Sequence, residues 1–299
     1  MLPQTVEYTF TLPTHSAPEA RVGWHLEPTR SALLVHDMQA YFARIYGTGC
    51  PAFNQAIDRT AALIAAARSA GVPVFYTAQP GDQDPQDRGL LTDMWGTGIQ
   101  DRAEQTQILA PLAPRDGDQV LVKHRYSAFA RSDFAQRLAD AGRNQLVIVG
   151  IYAHIGVATT ATDAFMQDIA PFVVADAVAD FSLADHQRAL HTVARTSGMV
   201  LSTDEVLARW RDASAATGAL EASAELRLDL AELLGDVELV ERAVTDPASD
   251  LFELGLDSLR AFELLDRLAD RGVEIDYADF VQQATVEHLI AASSLVTAR

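Results

Sequence analysis

Asp37 closes the apolar run of "SALLVHD", Lys123 follows "QVLV", and Tyr152, His154 and Gly156 fall in the turn of "VIVGIYAHIGVATTATDAF". A carboxylate at the mouth of a buried strand is a candidate general acid or base, because desolvation raises its pKa. Read alone, Asp37 is better taken as the N-cap of a following helix. Lys123 is the only lysine among 23 basic residues. An ammonium is a compact point charge and a guanidinium a planar fork, so a lone lysine at a strand end fits a charge used in chemistry as well as a solvated surface group. The turn after "VIVG" holds neither serine nor cysteine at its tightest point, so it offers no side-chain nucleophile. His36, His124 and His154 lack ligand spacing on one helix face and no H-E-x-x-H occurs, so no metal is expected.

A second group of residues lies in "DLFELGLDSLRAFELLDRLADRG". Asp257 reads as a helix cap, and Gly255 and Asp257 set the Ser258 hydroxyl at an exposed loop-helix junction. Residues 219–299 contain 18 Asp and Glu against 6 Arg, so this segment supplies −12 of the chain's net charge of −18.

The elements needed to position these groups follow from hydropathy. Between Ser31 and about residue 205, "SALLVHD", "VPVFYTAQ", "QVLVKHRY", "QLVIVGIYA" and "PFVVADAVADF" alternate with helix-like stretches such as "AIDRTAALIAAARSAG". Runs without polar alternation predict strands buried on both faces, and their alternation with helices predicts an α/β parallel sheet. Ligands bind outside the carboxyl ends of such strands, where His36-Asp37, Gln79, Lys123, Tyr152 with Gly156, and Asp180 collect. The reading divides the chain into a domain over 1–207, an Ala/Ser-rich linker over 208–218 and a small acidic helical domain over 219–299. Helices are predicted through "AELRLDLAELLG", from Ser258 to about Arg271 and through "VEHLIAASSLV", with a long loop before Ser258.

Composition narrows the partners. A chain of 299 residues that is 48% hydrophobic can bury two cores, and a pI near 4.7 argues against nucleic acid and anionic membrane surfaces. The single Cys50 excludes an internal disulfide framework, and no apolar run reaches the length of a membrane span, so a cytoplasmic protein is expected.

"LLVHDMQAYF", "VFYTAQP", "LLTDMWGTG", "LVKHRYSAF" and "IYAHIGVATTATDAFMQDIAPFVVADAVADFS" together resemble the isochorismatases, within the isochorismatase-like hydrolase superfamily. "GLDSLR" resembles the attachment loop of carrier proteins, and the order of the parts is similar to that of the bifunctional isochorismatase/aryl carrier proteins of catechol siderophore synthesis. The resemblance implies a three-layer isochorismatase-like domain followed by a four-helix carrier domain. Amidase relatives use an Asp, a Lys and a nucleophilic Cys; Asp37 and Lys123 match the first two, and Gly156 stands in the third place. The resemblance therefore implies cleavage of the enolpyruvyl ether of isochorismate by water, with Asp37 as general acid. Gln79, Arg88 and Tyr152 are implied as polar substrate contacts, the Gly156 N–H as a further donor, and Phe42 and Trp95 as an apolar wall. It also implies 4′-phosphopantetheine on Ser258. Phe262, four residues on and one helical turn away, reads either as a docking residue on the face near that arm or as a filler of the four-helix core. The partners implied are a phosphopantetheinyl transferase, a 2,3-dihydroxybenzoate-adenylating ligase and the condensation domain of a nonribosomal peptide synthetase, with the chain a homodimer. Gly156 argues against a thiol-dependent amidase. Asp37 and Lys123 argue against the other alternative, a carrier scaffold with an inactive hydrolase-like domain.

Overall fold

All six residues of β1 (Ser31–His36) and all seven of β4 (Gln145–Ile151) are buried. A strand hidden on both faces needs strands on both edges and helices above and below. In the computed structural model these belong to a parallel six-stranded sheet in the order β3-β2-β1-β4-β5-β6. β2 is Val74–Ala78, β3 Gln119–Val122, β5 Ala170–Ala179 and β6 Met199–Leu201. Register sets Val35 between Tyr76 and Val149, and His36 beside Gly150. The chain winds outward from β1 in one direction and from β4 in the other, so a crevice opens beyond their carboxyl ends. The structure describes residues 5–12, 20–234, 237–246 and 248–297, and the side chains among them outside 212–225, 234, 237–238, 244 and 294–297.

Helix Pro51–Ser69 shows how sequence builds a covering layer. Proline opens it, where an N–H has no intrahelical partner to lose. Its buried residues Ala52, Phe53, Ala56, Thr60, Leu63, Ile64 and Ala67 recur at helical spacing and pack on the sheet. Truncating the fully buried Leu63 to alanine costs roughly 2–5 kcal/mol. Helix Leu183–Thr196 is capped by Ser182, whose hydroxyl oxygen accepts the Asp185 N–H.

Two strands depart from the expectation. β3 is an edge strand with Val120 and Val122 49% and 57% exposed, so it is not buried on both faces. β6 has only three residues, too few to leave a periodic signature.

The chain divides into two compact units, Met1–Arg211 and Asp212–Arg299. Trp210, inside the span read as a linker, is 1% exposed in the first core, and its Nε1 donates to Ser31 Oγ at 3.3 Å. That span lies within helix Thr203–Leu234. The second unit continues with helices Val237–Thr245, Ser258–Asp270, Tyr277–Gln282 and Val286–Thr297 around Leu230, Leu251, Leu264 and Phe280. Helix Val237–Thr245 replaces part of the expected loop, because Val240 and Ala243 bury there. Among the described residues no helix is long and apolar enough to cross a membrane.

Candidate active site and carrier serine

Asp37 leaves β1 at a φ of +50°, a conformation costly to any residue with a Cβ and common where a site demands it. The bend brings its buried carboxylate to groups from the next two strands. Thr77 on β2 donates its hydroxyl to Asp37 Oδ1 at 2.7 Å and accepts the Asp37 backbone N–H at 3.0 Å. Lys123 extends β3, donating its backbone N–H to Ala78 O at 2.9 Å, and its Nζ donates to Asp37 Oδ2 at 2.6 Å. Burial acts to raise the Asp37 pKa, but the Lys123 ammonium, with hydrogen bonds from Lys123 and Thr77, outweighs it. The carboxyl is held below its ordinary range, and at neutral pH it is ionised.

His36 is fully buried one residue earlier. Its Nδ1 lies 3.0 Å from Ile151 O and therefore carries the proton, since a carbonyl only accepts. Nε2 then accepts from the Thr160 hydroxyl at 3.1 Å, and Thr160 Oγ1 accepts the Ala128 N–H at 3.0 Å. Burial lowers the His36 pKa to about 4, so the imidazole is neutral.

Arg88 ends the short helix Pro85–Arg88 and is 5% exposed. Its Nε donates to Gly96 O at 2.7 Å, while Nη1 is buried with no partner among the described residues. Gly98 makes room for the guanidinium: its φ is +85°, and a Cβ there would fall 2.5 Å from Arg88 Cζ. An unpaired buried guanidinium is expensive unless a carboxylate meets it.

Tyr152 lines the cleft beside Phe42. Its hydroxyl donates to Phe42 O at 2.7 Å, so its proton is committed to holding the Phe42 wall. Gln39 clamps the Gln79 backbone, accepting its N–H at 2.7 Å and donating to its carbonyl at 2.9 Å. All eight residues predicted for the hydrolase site line one cleft. Tyr41, Leu91, Gly98, Tyr126 and Ile155 also line it and were not foreseen. Tyr126 accepts the Trp95 Nε1–H at 2.7 Å, and its place just past β3 in "LVKHRY" was the available signal. Asp180 does not line the cleft. It accepts from the His154 N–H at 2.6 Å and from His154 Nδ1 at 2.5 Å, tying β5 to the turn.

Ser258 and Phe262 belong to the second unit. Ser258 is exposed at the first position of its helix, where Asp257 caps by accepting the Arg260 N–H at 2.9 Å. Leu264, Leu265 and Leu268 turn inward, whereas Leu259 and Phe262 are exposed. The Phe262 ring stacks on Tyr277 with centroids 4.0 Å apart and planes 8° from parallel.

Residues 31–205 match the isochorismatase domain, and residues 228–293 match the phosphopantetheine attachment site. Enterobactin synthase component B of Escherichia coli (strain K12) is 44% identical over 281 residues, covering 93% of each chain. An isochorismatase of Bacillus subtilis is 39% identical over 93% of this chain and 91% of its own. Among solved structures, a cysteine hydrolase from Pseudomonas syringae pv. phaseolicola aligns with a TM-score of 0.59 at 27% identity, over 66% of this chain and 99% of its own. With both domains matched in this order, the chain belongs to the isochorismatase family, its hydrolase domain joined to a phosphopantetheine attachment domain.

Proposed function

We propose that the first unit hydrolyses isochorismate to 2,3-dihydro-2,3-dihydroxybenzoate and pyruvate, and that the second carries the derived aryl acid as a thioester for nonribosomal siderophore assembly. The observation that carries the hydrolase reading is the Asp37–Lys123 pair in one cleft with Gly156 and with a buried Arg88 whose Nη1 has no partner among the described residues. Two carboxylates of the substrate answer that unpaired cation and the Lys123 ammonium.

A vinyl ether becomes electrophilic when its terminal CH₂ is protonated, because the ether oxygen stabilises the oxocarbenium ion. Substrate carboxylate beside Lys123 weakens the hold of the ammonium on Asp37 and adds negative charge nearby, and both effects raise Asp37 toward its acid form. Asp37 delivers its proton to the CH₂ carbon. Water then adds to the oxocarbenium carbon and returns a proton to Asp37, and the hemiketal collapses to pyruvate and the diol. No covalent enzyme intermediate forms, so no side chain is needed at position 156. Arg88 and the Gly156 N–H orient the substrate; Phe42, Trp95 and Tyr152 exclude bulk water. No step is assigned to a metal.

In the second unit, Ser258 accepts the 4′-phosphopantetheine arm from coenzyme A through a phosphopantetheinyl transferase. A 2,3-dihydroxybenzoate-adenylating ligase loads the thiol, and a condensation domain docks over the exposed Phe262 ring, which stacks on the half-buried Tyr277. The acidic surface attracts these partners at long range, so their encounter slows with salt. The same reading makes the protein a cytoplasmic homodimer. It also separates the activities, so a fragment ending at Arg211 retains pyruvate release. The test incubates the full chain with isochorismate while following pyruvate, then measures intact mass before and after coenzyme A and transferase. Absence of pyruvate overturns the hydrolase reading, and absence of a mass gain the carrier reading.

A further inference from the structure

The cleft needs an explanation for its glycine. Gly156 sits on the π-helical turn Ala153–Val157, and it is not among the residues with positive φ, so backbone conformation does not demand glycine. Space does. A Cβ added at 156 would lie 2.2 Å from His36 Cε1 and 3.0 Å from both ring nitrogens. The imidazole has nowhere to retreat. It is 0% exposed, donates to Ile151 O through Nδ1 and accepts from Thr160 through Nε2, so both ends of the ring are fixed. In a close-packed interior an overlap of this depth moves backbone or breaks those hydrogen bonds.

We propose that His36 is the residue that determines the chemistry at position 156: by filling the volume of any side chain there, it keeps the site free of a nucleophile and commits the Asp37–Lys123 pair to activating substrate for attack by water. The relevant unit is a pair, His36 with Gly156, and a cysteine reaches the catalytic turn only when both positions change. His36 acts through Gly156 and is a positioning residue. The inference rests on the proposed hydrolysis only for its consequence, the choice of water over thiol; the packing claim stands apart from any substrate.

The test is a double-mutant cycle in the full chain, followed by tryptophan fluorescence, since Trp24, Trp95 and Trp210 all lie in the first unit. Gly156→Ala alone lowers the melting midpoint by roughly 5–10 °C. In a His36→Asn background, which keeps a donor for Ile151 O and removes the atoms corresponding to Cε1 and Nε2, the same change shifts the midpoint by less than about 2 °C. His36→Val serves as a second background. Equal shifts with and without His36 overturn the proposal, as does a Gly156→Ala protein that melts with wild type, an outcome that needs neither background to fold. The chemical arm uses iodoacetamide. In His36→Asn/Gly156→Cys the new thiol, near Lys123, alkylates with a pH midpoint below the free-thiol value of about 8.5. In Gly156→Cys with His36 retained, alkylation is slower by roughly tenfold or more. Wild type, whose single Cys50 is buried, sets the background. Equal rates in the two cysteine proteins overturn the proposal. Pyruvate release by wild type is read alongside; its absence would count against the proposed hydrolysis and leave both arms interpretable.

Discussion

Thr77 holds Asp37 from two sides, donating to Oδ1 at 2.7 Å and accepting the backbone N–H at 3.0 Å. One hydroxyl thus fixes both the carboxylate and the left-handed bend that presents it. Thr77→Val keeps the β-branched shape on β2 and removes both interactions. A hydrogen bond to a charged group contributes roughly 1.5–3 kcal/mol, so kcat for pyruvate release should fall about 10–100-fold with KM little changed. A variant that loses KM instead would show that Thr77 supports binding and not the acid.

Asp37→Asn tests the acid itself. The amide preserves volume but has no proton to deliver, and general acid catalysis contributes roughly 10²–10⁴-fold. Pyruvate release should drop by that range in a protein whose tryptophan fluorescence and melting remain those of a folded first unit. Near-wild-type turnover would remove Asp37 from the mechanism.

Arg88→Lys retains charge and loses the fork. Lysine cannot make two parallel hydrogen bonds to one carboxylate, and its ammonium is costlier to desolvate than a guanidinium. The expected result is a 10–100-fold rise in KM, about 1.4–2.8 kcal/mol, with a smaller change in kcat. Initial rates across isochorismate concentration separate the two.

Acid should weaken the first unit well before its carboxylates titrate. Burial lowers His36 and His186 from 6.5 to about 4. Between those values the unfolded chain binds more protons than the folded one, so stability rises with pH across the window and is lost on acidification. By pH 5 each group costs roughly 2 kcal/mol. Asp37 acts in the same sense over a lower range: its depressed pKa stabilises above 3.8, and that contribution is lost only below it, outside this window. The urea midpoint read by tryptophan fluorescence should therefore be lower at pH 5.0 than at pH 7.5, and equal midpoints would contradict the neutral, buried state of the two rings.

The sheet was legible where burial on both faces writes an unbroken apolar run, as in "ALLV" and "QLVIVGI". It was not legible at β3, whose edge position exposes two valines, nor at the three-residue β6. Asp37, Lys123 and Gly156 could be gathered from sequence because parallel strands align their carboxyl ends. Thr77 and Gln39 could not, since each acts through hydrogen bonds across 40 positions, and no spacing rule encodes such a contact. Arg88 in "GDQDPQDRGLL" reads locally as a loop charge; only folding of the segment through Gly98 against it makes it a buried cation. His36 reads as a strand residue, and its fit against position 156 is visible only in three dimensions.

Phe262 lies one helical turn beyond Ser258, 51% exposed and stacked on Tyr277. Tyr277 packs against the core, whereas Phe262 covers it from outside, and Leu264, Leu265 and Leu268 fill the core from the other face of the helix. Phe262→Ala should leave the second unit folded and still accept the arm from coenzyme A, because the capped serine is untouched. Transfer of the loaded aryl group to the condensation partner should fall by roughly tenfold or more, the usual cost of removing an anchoring aromatic from an interface. Ser258→Ala gives the companion result: no coenzyme A-dependent mass gain and no aryl loading, with isochorismate hydrolysis unchanged. If Phe262→Ala unfolds the second unit by circular dichroism, the ring is structural and docking must be sought elsewhere; if it transfers at the wild-type rate, the stack is not the docking face.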